Sequence, residues 1–230
     1  MIRLSLLTIS LLVAQFVFAQ ERHILLDSAR VWVNTIGLES RNPGQPVLVF
    51  ENGHGVPMDN WDKLLPGLEG LAPVVTYDRA GVGKSDPIEE IPSIENVSAR
   101  LVKILNQLEI APPYVLVGHS LGGLYVRGFA VHYPELLAGL VIVDPADFTE
   151  THNNKRGYYD FLDWEQARVD SLINSFVERR RRSHQKSVPA IRREGEYLEA
   201  IRMREFNEIT ESPLPNIPVH IIVGGKFDMP

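Results

Sequence analysis

Residues Tyr114 to Gly123 form an apolar, β-branched run that drives straight into a Gly-x-Ser-x-Gly turn, Gly118-His119-Ser120-Leu121-Gly122. The run predicts a buried strand, and Leu121 to His132 behind it predicts a helix that Pro134 stops. In a turn of this kind strand and helix pass too closely for a Cβ at either flanking glycine. Ser120 is left at the tip in strained backbone geometry. Gly-x-Ser-x-Gly alone is a common string. Strand, turn and helix in that order make it a strong constraint on the fold.

Five apolar runs alternate with helical patterns. Val47-Leu48-Val49-Phe50 precedes Asn52-Gly53-His54-Gly55, and Val74-Val75-Thr76-Tyr77 precedes Asp78-Arg79-Ala80-Gly81. Tyr114 to Val117 leads into the serine turn, Leu140 to Val143 into Asp144-Pro145, and Val219 to Val223 into Gly224-Gly225-Lys226-Phe227-Asp228. Near-continuous apolar strands separated by helices predict a mostly parallel sheet with helices on both faces. Ligands of such sheets bind beyond the carboxyl ends of the strands, where these polar and glycine residues gather. Val31-Trp32-Val33 predicts an edge strand, Ile94 to Leu108 a crossover helix, and Trp61 to Leu71 an earlier, less regular helix.

Between Phe148 and Pro213 the strand signal vanishes. Twelve lysines and arginines balance twelve aspartates and glutamates there, and Val169, Leu172, Ile173, Phe176 and Val177 form an apolar stripe. The expected organisation is a core of 20–147 and 213–230 with a helical lid inserted at 148–212.

The N-terminus reads as a signal peptide, residues 1–19: Arg3, an apolar stretch from Leu4 to Phe18, and cleavage after Ala19. That stretch is shorter than the ~20 residues a spanning helix needs, so a periplasmic or secreted protein without a stable membrane anchor is expected. Cysteine is absent, which removes disulfides, thiolate nucleophiles and cysteine-based zinc sites. A net charge of −6 argues against nucleic-acid binding. Gly81-Val82-Gly83-Lys84-Ser85 lacks the spacing of a phosphate-binding loop, and no cluster of metal ligands stands out. The tract Arg179 to Arg182 reads as a solvated helix end.

Glu51-Asn52-Gly53-His54-Gly55 with Trp61, then Asp78 to Ser85, then Gly118 to Gly123, then Val141 to Pro145, together resemble the α/β-hydrolase superfamily, in particular its lidded branch. The likeness spans roughly residues 30 to 150 and 213 to 230. It implies that Ser120 is the nucleophile, and a serine there sets the chain apart from the superfamily's dehalogenases and epoxide hydrolases, which carry aspartate. It implies an oxyanion hole from the backbone N–H groups of Leu121 and His54, and no cofactor. The triad acid maps onto Asp228, with Asp144 as the alternative that some relatives use.

In this superfamily the base, a histidine, follows the acid after one more strand. None of His23, His54, His119, His132, His152, His184 and His220 is placed for that role. The expectation is therefore a histidine beyond residue 230, with the final strand and helix missing from this chain. The functional expectation is an exported serine hydrolase acting on a carboxylic ester or similar small acyl substrate. The alternatives are a haloperoxidase or lyase built on the same triad, and a non-catalytic binding protein or decayed hydrolase of the same fold.

Overall fold

The computed structural model describes residues 19–146 and 152–224. The expected signal peptide (but for Ala19) and Asp228 lie outside the described residues. Among the described residues seven strands form one sheet in the order β1-β2-β4-β3-β5-β6-β7. They are β1 (Gln20–Leu26), β2 (Ala29–Ile36), β3 (Val47–Glu51), β4 (Val74–Tyr77), β5 (Tyr114–His119), β6 (Leu137–Val143) and β7 (Val219–Ile222). β1 and β2 run antiparallel to their neighbours. Every other pairing is parallel, with Phe50 opposite Val117 and Gly118 opposite Ile142. The sheet is thus the mostly parallel one the strand pattern predicts, but Val31-Trp32-Val33 is not its edge: β2 lies between β4 and an added antiparallel strand, β1.

The strands bury both faces because side chains alternate. Val47, Val49, Tyr114, Leu116 and Leu140 point to one face. There they meet Leu101, Ile104 and Leu105 of α1 (Ile94–Gln107) and Val126 and Phe129 of α2 (Leu121–His132). Ser93 caps α1 by accepting from Asn96 N at 3.1 Å. Phe50, Val74 and Val117 point the other way, against Trp61 and Leu65. The helix expected over Trp61 to Leu71 is instead two single 3₁₀ turns, Met58–Trp61 and Leu65–Leu68. Pro66 and Gly67 interrupt the pattern, and Gly70 takes a left-handed φ of 75° that ends it.

Among the described residues, four helices lie between β6 and β7: α3 (His152–Phe161), α4 (Gln166–Gln185), α5 (Pro189–Met203) and α6 (Asn207–Thr210). α5 and α6 are built into the interior. Tyr197, Leu198, Ile201 and Ile209 pack with Ile94, Leu121, Leu124 and Tyr125. Tyr197 OH accepts from Ile94 N at 2.9 Å, and Arg127 donates to Ile209 O at 2.6 Å. No helix among the described residues is long and apolar enough to cross a membrane.

Candidate active site

At the end of β5 the chain turns through Ser120, whose φ of 53° and ψ of −117° lie outside the common regions for an L-residue. Such a conformation costs about 1–3 kcal/mol and persists only where its surroundings over-determine it. Ser120 N donates to Val143 O at 3.1 Å, while Ser120 O accepts from Gly123 N at 2.9 Å and Ala146 N at 3.1 Å. A Cβ on Gly118 would collide with the Gly122 carbonyl, and one on Gly122 with the Glu51 carbonyl. The two glycines therefore let β5, α2 and β3 converge, as the sequence requires. Ser120 itself is half-buried, so its hydroxyl stays within reach of the surface.

The loop after β3 runs beside this tip. A Cβ placed on Gly53 would sit 3.4 Å from Ser120 Cβ and 3.2 Å from His119 Nδ1. Leu121 occupies the first position of α2, where the backbone N–H has no partner one turn back. The structure thus brings together three of the expected site residues: Ser120, Leu121 and, one residue past Gly53, His54.

The titratable candidates divide. Asp144 follows β6 with φ 42°, and its N–H donates to Ile222 O at 2.7 Å. It is exposed, and among the described residues nothing hydrogen-bonds its carboxylate. His54 Nε2–H donates to Ile191 O of α5 at 2.7 Å, which ties that ring to the helix. Its ring stands 5.2 Å from that of His184. His23 reaches Lys84 O, and His119 lies edge-on to Trp61 with its Nδ1 buried and without a hydrogen-bond partner among the described residues. Among the described residues none hydrogen-bonds Ser120 Oγ. No group of three or more histidines, aspartates and glutamates among them is placed to hold a metal.

Sequence reasoning missed a buried ionic knot behind the Gly53 loop. Arg79, just past β4, uses all five of its N–H groups. Nε donates to Glu194 Oε1 at 2.7 Å and Nη2 to Glu194 Oε2 at 3.0 Å, a bidentate fork. Nη1 donates to Glu51 Oε1 and to Asn52 O, each at 2.6 Å, and Nη2 donates to Gly53 O at 2.6 Å. Side-chain exposures are 5% for Arg79, 3% for Glu194 and 2% for Glu51. Tyr77 OH donates to the second oxygen of Glu51. Burial pushes the Glu51 carboxyl up from its ordinary range, with Arg79 and Tyr77 opposing it, and burial likewise raises Tyr77. The carboxylate of Glu51 accepts from Asn52 N, Tyr77 OH and Arg79 Nη1, three donors of the kind an ionised carboxylate takes. A cleft walled by Arg79, Val97, Arg100, Ile104 and Glu194 lies beyond the knot, and Ser120 is not part of its wall.

The sequence model of the alpha/beta hydrolase fold matches residues 46–184. A protein of Mycobacterium phage D29 whose name proposes a non-heme haloperoxidase is 32% identical over 150 residues, 64% of this chain and 51% of that protein. RutD of Pantoea ananatis, whose name proposes a carbamate hydrolase, is 31% identical over 144 residues, 61% of this chain and 48% of its own. The chain spans about half the length of these curated relatives. Among solved structures, a hydrolase from Pseudomonas aeruginosa PA01 superposes with a TM-score of 0.55 at 18% identity, covering 89% of this chain and 80% of that one. The enzyme MGS-M2 from a Medee basin deep-sea metagenome superposes at 0.57 and 17%, covering 87% and 78%. At such identities the structural likeness speaks for the fold. The family model reaches further, and the chain belongs to the alpha/beta hydrolase fold family.

Proposed function

We propose that this member of the alpha/beta hydrolase fold family is an exported serine hydrolase that cleaves a carboxylic ester or similar small acyl compound. One observation carries the reading: a half-buried serine held in strained geometry at a strand–helix turn, with a second backbone loop running beside it. Ser120 Oγ attacks the acyl carbon and its proton passes to a histidine. The oxyanion is met by the N–H groups of Leu121 and His54, each worth about 3 kcal/mol in the transition state. The protonated histidine then gives its proton to the leaving oxygen, and water releases the acid by the same steps in reverse. Asp228 orients the histidine, which is proposed to follow it in the chain, beyond Pro230. The expected signal peptide supports export.

A second reading, a binding protein that keeps the pocket without its base, draws on the absence of a partner for Ser120 Oγ among the described residues. Labelling of the full-length protein by a fluorophosphonate, together with turnover of a short-chain nitrophenyl ester, separates the two. Ser120→Ala is expected to abolish both, with a loss on the order of 10⁶ in turnover. Asp228→Asn should cost about 10⁴ with little change in Tm. Asp144→Asn, exposed and without a side-chain hydrogen bond among the described residues, should leave turnover and Tm alone. Labelling that survives in Ser120→Ala refutes the nucleophile assignment. A dead Asp144→Asn beside an active Asp228→Asn moves the acid to the end of β6.

A further inference from the structure

We propose that Glu194 and Arg79 are positioning residues that aim the His54 N–H at the oxyanion from outside the catalytic constellation, and that the hole is therefore assembled only when α5 is docked. The proposal rests on the functional reading above and adds to it a dependence on a helix from the segment between β6 and β7.

The argument turns on one peptide plane. A trans peptide points its C=O and its N–H in opposite directions. The carbonyl of Gly53 and the N–H of His54 belong to the same plane. Arg79 Nη2 holds Gly53 O at 2.6 Å, so the His54 N–H must face away from Arg79. Arg79 Nη1 holds the preceding carbonyl, Asn52 O, at 2.6 Å, so two successive planes are fixed by one guanidinium. Gly53 lies against Ser120, and the orientation that Arg79 imposes is thus set beside the nucleophile.

Arg79 has its own direction fixed from both sides. Glu51 on β3 takes one edge of the guanidinium and Glu194 on α5 takes the other through the bidentate fork. Glu194 Oε2 also accepts from Gly55 N at 2.9 Å, so one α5 carboxylate holds the loop both directly and through Arg79. His54 Nε2–H to Ile191 O adds a third tie to the same helix. Gly55, at φ 63°, passes so close to Ile191 that a Cβ there would lie 2.8 Å from its Cγ2. The five bonds of Arg79 are buried and the two ties of His54 and Gly55 half-buried, and in such surroundings a lost partner is costly and a fixed dipole does not reorganise during reaction.

The test uses the full-length protein and Glu194→Gln, which keeps the size of the side chain and removes its charge. Because oxyanion donors act in the transition state, kcat for a nitrophenyl ester should fall about 10- to 100-fold, short of the ~10²–10³ for deleting a donor outright, while KM stays within about two-fold. Fluorophosphonate labelling of Ser120 should slow in parallel. Backbone amides of residues 52–56 should exchange with deuterium faster than in the parent. Glu199→Gln, which breaks the Arg180–Glu199 pair further along the same helix, should change none of these. Should Glu194→Gln not fold, Arg79→Lys serves, since one ammonium cannot reproduce five directed donors. Unchanged kcat with unchanged exchange at 52–56, or a rise in KM alone, overturns the proposal. If Ser120→Ala retains turnover the functional reading fails instead, and exchange at 52–56 still decides whether Glu194 holds the loop.

Discussion

Helices α4 and α5 come from one charge-rich stretch of chain and pack against each other, yet they bury different things. Over its 20 residues α4 buries Val169 and Ile173. Over 15 residues α5 buries Glu194, Gly195, Tyr197, Leu198, Ile201 and Arg202. The charges of α4 face solvent or reach sideways, as Arg180 does to Glu199 at 2.8 Å. The central carboxylate of α5 instead finds a guanidinium at the end of β4. Charge density therefore says little about which helix is a cover and which is scaffold. What separates them is whether an ionised group has a desolvated partner on the sheet.

The largest expected contrast comes from removing one cation from each helix's ion pair. Arg79→Met strands Glu51 and Glu194 in a dry interior, and breaking a buried pair in this way costs about 3–5 kcal/mol. Arg180→Met breaks a pair whose side chains are 26% and 16% exposed, where about 1 kcal/mol or less is expected. Thermal melts would show it, at roughly 2–4 °C per kcal/mol for a chain of this size. Equal losses from the two substitutions would remove the distinction between the helices.

A smaller contrast lies in the apolar contacts. Ile201 is 1% exposed and wedged with Phe206, Leu121 and Tyr125, so Ile201→Ala should cost about 2–5 kcal/mol. Leu172 on α4 is half-buried, and Leu172→Ala should cost about 1 kcal/mol or less. Denaturant midpoints for the pair would sharpen the comparison. A larger loss from Leu172→Ala would place α4, not α5, in the cooperative core.

The sheet and its serine turn were legible because their physics is local. Apolar runs bounded by glycine and polar residues predict β3 to β7, and the spacing of Val97, Leu101, Ile104 and Leu105 predicts α1. β1 escaped because Gln20-Glu21-Arg22-His23 opens it and only Leu26 is fully buried. As an edge strand paired on one side it needs little apolar signal. In the sequence Arg79 stands out only within Asp78 to Ser85, one of the stretches that carry the family resemblance. Its partner lies 115 residues away in a segment that reads as solvated. A signal did exist. Ala190, Ile191, Tyr197, Leu198 and Ile201 recur at helical spacing, and Glu194 falls on that same apolar stripe. A lone charge on the buried face of a helix demands a buried partner, which only the tertiary fold can name. Asp228 and the expected signal peptide belong to sequence reasoning alone.

The smallest expected effect concerns the seam between the two helices. His184, near the end of α4, lies against the backbone of Gly195 on α5, where any Cβ would strike its ring. Burial lowers its pKa below 6.5, and His54 and Arg180 push the same way while Glu199 and Glu196 oppose. The folded state therefore binds the proton less readily than the unfolded one. Stability from neutral His184 is fully present above about pH 6.5 and is lost as the pH falls from there through the folded value. The ring is half-buried, so the loss is modest and should be read locally. Hydrogen exchange of the facing amides of α4 and α5, followed from pH 7.5 to 5 with rates corrected for intrinsic pH dependence, should show growing opening in the parent. In His184→Gln, which cannot titrate, the corrected profile should be flatter over the same window. Parallel profiles for the two proteins would mean that the seam does not sense the proton, and that α4 rests on α5 through its apolar contacts and the Arg180–Glu199 pair.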